Sequence, residues 1–204
     1  HAACRAGHAP CVALLCEAGA EAEAANGKGR VPLMLASAEG HAEAAAELLR
    51  VGASVNGARA DGLQSLHLAL AHGHRDAALA LLDAQADATA RLANGTEPLM
   101  CAAQGDLPDL VDRLLAARAN VDAVSAEGWT ALHWACWCGA EAVARRLMLS
   151  GAMVVAMTED GSTPLSLAQE GGHDKLCQLL DVGFTPCSPD AAAADPVDQP
   201  SGAE

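Results

Sequence analysis

Gly128-Trp129-Thr130-Ala131-Leu132-His133-Trp134-Ala135 decides the fold, because its skeleton returns 33 residues later as Gly161-Ser162-Thr163-Pro164-Leu165. Stepping outward by the same 33 residues aligns whole columns. Gly29, Gly62, Gly95, Gly128 and Gly161 form one column, and Leu33, Leu66, Leu99, Leu132 and Leu165 another. Ala3, Ala36, Ala69, Ala102, Ala135 and Ala168 form a third. Chance does not align three columns over so short a chain.

Local signals within each unit describe a turn followed by two helices. Pro32, Pro98 and Pro164 fall at a first helical position, where the missing N–H costs nothing and the fixed φ suits the helix. A short apolar helix follows and stops at Gly7, Gly40, Gly73, Gly139 or Gly172, since glycine enters the left-handed conformation that ends a helix. A second helix carries paired apolar residues, Leu48-Leu49, Leu81-Leu82, Leu114-Leu115 and Leu147-Met148, and closes near Gly19, Gly52 or Gly151.

These residues resemble the ankyrin repeat, whose pattern runs approximately Gly-x-Thr-Pro-Leu-His-x-Ala-Ala, then Gly-His, Leu-Leu and Gly-Ala. The resemblance covers residues 1–183 in six units: 1–28, 29–61, 62–94, 95–127, 128–160 and 161–183. It implies an all-α solenoid of stacked helix-turn-helix units joined by β-hairpin-like turns. Each unit buries its apolar face only against its neighbours.

Departures from the pattern carry their own expectations. The first unit lacks its turn and its Thr-Pro-Leu, so its helices are expected to fray; opening inside a unit, the sequence reads as a fragment of a longer chain. Gln64-Ser65 replaces Thr-Pro in the third unit and weakens that helix start. In the fourth, Gly105-Asp106 brings the glycine one residue early and predicts a following helix one residue longer. The sixth unit is one residue short before Gly183. Residues 184–204 place Pro186, Pro189, Pro196 and Pro200 among Asp, Ser, Gly and Ala, and predict a disordered acidic tail.

Composition narrows function. The hydrophobic fraction of 51% is ample for a core, yet alanine dominates it and the aromatics are three Trp, one Phe and no Tyr. Net charge is −14, and removing the four acids of the tail leaves about −10 on the array. An acidic surface without a basic stripe argues against nucleic acid and anionic membrane, and most of the acids simply keep exposed helix faces solvated. No apolar run approaches the ~20 residues needed to span a bilayer. The eight cysteines do not follow disulfide-framework spacing and read as free thiols of a reducing compartment, cytoplasmic or nuclear.

Candidate chemistry is absorbed by the repeat. His1, His67 and His133 follow the leucine of the first helix, and His8, His41, His74 and His173 follow its terminal glycine; the resemblance implies structural roles, bonding backbone between units. His133, Cys136 and Cys138 form the densest metal-like group, but residues two apart on a helix point away from each other, and packing explains the thiols better. Asn94-Gly95-Thr96 matches a glycosylation sequon, yet Asn-Gly is first a turn pair. Ser54-Val55-Asn56 only partly resembles the asparagine-hydroxylation acceptor of the family. The sequence predicts no catalytic residue, metal or cofactor.

Three tryptophans within nine residues, Trp129, Trp134 and Trp137, are the unusual feature. The resemblance puts Trp129, with Arg30 and Leu63, on finger tips. It puts Trp134 and Trp137 on the groove-facing side of first helices, with Leu35, Glu39, Leu68, His72 and Cys101. Tryptophan is enriched among binding hot spots; gap-filling among alanines accounts equally well for Trp134 and Trp137. The expectation is a monomeric scaffold binding a protein or peptide. The rival is a substrate-recruiting portion of a larger kinase, acyltransferase, ubiquitin ligase or channel.

Overall fold

The computed structural model describes residues 1–181, so the last two residues of the expected array and the whole expected tail lie outside the described residues. Twelve helices occur among the described residues, in six pairs. They are α1 (Ala2–Arg5) with α2 (Ala9–Glu17), α3 (Pro32–Ala38) with α4 (Ala42–Arg50), and α5 (Ser65–Ala71) with α6 (Arg75–Asp83). They continue as α7 (Pro98–Gln104) with α8 (Pro108–Ala116), α9 (Ala131–Cys138) with α10 (Glu141–Leu149), and α11 (Pro164–Glu170) with α12 (Asp174–Asp181).

First helices stack on first helices, from α1 on α3 through α9 on α11, and second helices on second helices, from α2 on α4 through α10 on α12. The alanine column makes the inner row possible. Ala36, Ala69, Ala102, Ala135 and Ala168 are fully buried, and a methyl group at the contact lets neighbouring backbones approach. Between the rows lie Leu33, Leu48, Leu66, Leu81, Leu99, Leu114, Leu132 and Leu147, buried to within 1%. Each large core side chain withdrawn from water contributes about 1.5–3 kcal/mol, and much of that contact is made to the adjacent unit.

Helix starts follow the sequence. Pro32, Pro98 and Pro164 occupy first positions, while the Thr130 and Thr163 side chains accept hydrogen bonds from the amides of His133 and Ser166. Gln64-Ser65 costs α5 nothing in extent: it spans seven residues like α3, held by buried Leu66, Leu68 and Leu70.

The fourth unit corrects an expectation. Gly105 keeps an ordinary right-handed conformation at φ −81°, and Asp106 takes the left-handed one at φ +49°, in register with Gly73 and Gly139. Gly105 is required for space instead, since a β-carbon there would lie 2.1 Å from the Leu70 carbonyl oxygen. The helix that follows is not lengthened; α8 has nine residues, as α6 and α10 do.

The turns preceding the first helices are closed by backbone bonds such as Arg59 N–H to Leu63 O, Leu92 N–H to Thr96 O and Ser125 N–H to Trp129 O. One isolated antiparallel bridge, Ala58 with Gln64, is the only strand-like pairing among the described residues. These fingers stack too: the amides of Ala93, Ala126 and Glu159 donate to the carbonyls of Asp61, Asn94 and Glu127 in the preceding finger at 2.8, 2.7 and 3.0 Å.

Candidate protein-binding surface

The tryptophans form one aromatic cluster on the fifth unit. Trp129 comes from the finger and packs its ring 4.7 Å from Trp134, and 6.3 Å edge-on to Trp137, centroid to centroid. Trp129 also lies 6.1 Å from His133. Local chemistry sets this up: the Ser125 hydroxyl accepts from the Trp129 amide, and the His133 Nδ1 accepts from the Thr130 amide at 3.0 Å, which ties the finger to the start of α9. Trp129 and Trp134 are half-buried against the main core, while Trp137 remains 48% exposed. Of the two accounts the sequence left open, packing describes Trp129 and Trp134, and only Trp137 offers a large free aromatic face.

The remaining expected contact residues divide by burial. Leu35, Leu68 and Cys101 are buried, at 8, 7 and 5% exposure. Leu68 joins Met34 and Ala38 in a small cluster against which Val31 and Leu63 pack. These residues therefore floor the surface rather than project from it, because alanine-rich neighbours let the helices close over them. Arg30 is half-buried, with its Nε unpartnered among the described residues. Glu39 and His72 are exposed, but His72 is also bonded, its Nδ1–H donating to the Ala38 carbonyl at 2.8 Å.

The histidine columns work between and within units. Nε2–H of His41, His74 and His173 donates to the carbonyls of Arg5, Ala38 and Trp137 in the preceding unit at 3.0, 3.0 and 3.2 Å. His1 and His67 reach the carbonyls of Ala24 and Ala90 at 2.8 and 3.1 Å. Burial pushes the His67 and His133 imidazoles below their ordinary value, so both stay neutral at physiological pH. None of the three bonding rings between units is free to act as a base.

Other candidates are equally occupied. Cys136 is fully buried beside exposed Cys138, and no group of three His, Cys, Asp or Glu residues among those described could hold a metal ion. Burial pushes the Cys101 and Cys136 thiols up to about 12. Asn94 makes its turn, with its Oδ1 accepting from the Thr96 amide and Gly95 at φ +78°. Asn56 accepts the Asp87 amide of the next unit at 2.8 Å. Outer helices are linked by exposed ion pairs, Arg75 with Asp109, Arg113 with Asp83, and Arg146 with Asp112.

One exposed apolar group was missed by sequence reasoning. Met153, Val155 and Met157, in the loop after α10, are 54, 73 and 65% exposed. The signal was present in the columns: Ser54, Asp87 and Asn120 precede Met153, and Asn56, Thr89 and Asp122 precede Val155.

A two-row stack of helix pairs joined by stacked fingers, without a metal cluster among its described residues, defines a repeat solenoid. The family model described as ankyrin repeats (3 copies) matches residues 1–92, 66–158 and 99–190. The chain belongs to the ankyrin repeat family. Comparison with the curated proteins found no match. Ankyrin repeats generally serve as protein–protein interaction modules and are typically non-catalytic. No helix among the described residues is long and apolar enough to cross a membrane.

Proposed function

We propose that this chain is a protein-binding scaffold that docks a peptide or a domain surface on the first helices and fingers of its fifth unit. The observation that carries this is Trp137, a large aromatic left 48% exposed beside two tryptophans that hold its edge. An aromatic ring already ordered by its neighbours loses little entropy on binding, which is what favours such residues as anchors. Glu39 and His72 extend the same surface toward the N-terminus, and affinity arises from buried aromatic contact on a rigid stack rather than from any reaction. The net charge of −14 favours a neutral or basic protein partner over nucleic acid. The array works as a monomer in a reducing compartment, cytoplasmic or nuclear, consistent with the free thiols among its described residues.

The test is affinity capture with the native chain beside Trp137→Ala, both shown to be folded by circular dichroism. Trp137 is preferred to Trp129 and Trp134, whose removal would disturb the core. Proteins lost only from the variant support a binding surface on unit five. Equal recovery removes Trp137 from the surface and refutes the assignment.

A further inference from the structure

The fingers of this array cover one another, except at the C-terminal end. A β-carbon on Gly62 would lie 2.6 Å from the Arg91 carbonyl oxygen, one on Gly95 3.2 Å from the Ala126 amide nitrogen, and one on Gly128 3.0 Å from the Thr158 α-carbon. In each case the obstacle is the backbone of the following finger. At Gly161 the only atom within 4 Å among the described residues is the Met157 methyl carbon of its own finger, at 3.9 Å. The last described finger thus presents an open side.

That end is apolar, where a terminal unit ordinarily turns a polar face to water. Met153, Val155 and Met157 are all more than half exposed there. At interior junctions the acceptor column does a different job: Glu23, Asn56 and Asp122 accept the amides of Ser54, Asp87 and Met153 in the next loop at 2.7, 2.8 and 2.8 Å. Val155 stands in that column and cannot accept a hydrogen bond, so whatever covers it does so by apolar contact.

Chain remains to supply the cover. The 33-residue step carries Gly151–Met157 onto 184–190, and the family match itself runs to residue 190, nine past the last described residue. This stretch follows α12 directly and holds Phe184, the chain's one phenylalanine, with Pro186 and Pro189, which carry no amide hydrogen to leave unpaired against Val155. It carries a single charge, Asp190.

We infer that residues 183–190 fold back over Met153, Val155 and Met157 as an intramolecular C-terminal cap of the stack, with the disordered tail beginning only after them. Cys187 sits in the middle of this stretch and reports its contact. The experiment is alkylation of Cys187 by iodoacetamide in the full chain, followed by mass spectrometry, against a synthetic peptide of residues 183–204. The full chain is expected to react about tenfold more slowly at Cys187 than the peptide. Met153→Ser/Val155→Asn, which restores the residues of the second unit, should bring it close to the peptide rate. Buried Cys101 and Cys136 must stay unlabelled in that variant as evidence that the array is intact; if they label, the single Val155→Asn variant takes its place and the same acceleration is required. Labelling of the native chain at the peptide rate overturns the inference. So does protection that survives the substitutions, which places Cys187 elsewhere. Protection that grows with protein concentration also overturns it, since a second copy would then be the cover.

Discussion

A β-carbon on Gly40 would lie 2.5 Å from Nδ1 of the His74 ring, whose Nε2–H donates to the Ala38 carbonyl at 3.0 Å. The pair recurs as Gly7 with His41 and Gly139 with His173, where the β-carbon would come equally close to the ring. One residue therefore serves two ends: it terminates a first helix in the left-handed conformation and clears the place for the histidine that clamps the next unit.

Gly40→Ala is accordingly expected to cost more than Gly172→Ala. Both take positive φ, +78° and +69°, but nothing lies within 4 Å of a β-carbon on Gly172. The backbone penalty alone is about 1–2 kcal/mol, and overpacking against a bonded ring adds about 1–3 kcal/mol. Urea unfolding of the two variants measures the difference; equal losses would show that His74 moves aside freely.

Gln85 and Arg118 hold the same left-handed position that Gly52 and Gly151 hold in other units, at φ +67° and +69°. Gln85→Gly and Arg118→Gly are expected to stabilise the array by about 0.5–1 kcal/mol each, the relief of left-handed strain less the added freedom of the unfolded chain. Thermal unfolding of each variant reads this directly, and a lowered midpoint in both would count against it.

Acid sensitivity follows from His67 and His133. Burial lowers both folded values below 6.5, so the unfolded chain binds more protons as pH falls. Stability from these groups is full above about pH 6.5 and falls as pH drops from there toward the lowered folded values. The slope of unfolding free energy against pH in that window should flatten in His67→Gln/His133→Gln, even though this variant is less stable throughout. An unchanged slope would assign the sensitivity to other groups.

Thiol reactivity should sort by burial. Cys11 is exposed, whereas Cys101 and Cys136 are buried with their thiols pushed up to about 12 and hold almost no thiolate at neutral pH. Native-state titration with a chromogenic disulfide is expected to label Cys11 within the fast phase and to leave Cys101 and Cys136 until denaturant is added. Rapid labelling of either buried thiol in the native chain would contradict the packing of α7 and α9.

The 33-residue period, the placement of Pro32, Pro98 and Pro164, and the glycine columns were enough to specify the helix pairs and their order. Those features act within one unit, where local propensity and capping decide the outcome. The roles of His41, His74 and His173 were legible for the same reason, since a column repeated along the chain shows a position's partner as well as its type. What the tertiary structure alone decided lies between units. The left-handed turn of the fourth unit passes to Asp106 because the Leu70 carbonyl of the third unit leaves Gly105 no room for a β-carbon and fixes its path. Leu35 and Leu68 sink while Trp137 stays half out, since alanine-rich inner helices close over one side chain and leave another at the rim. A residue's exposure depends on neighbours about 33 residues away in both directions, and that sum is taken only when the stack is assembled.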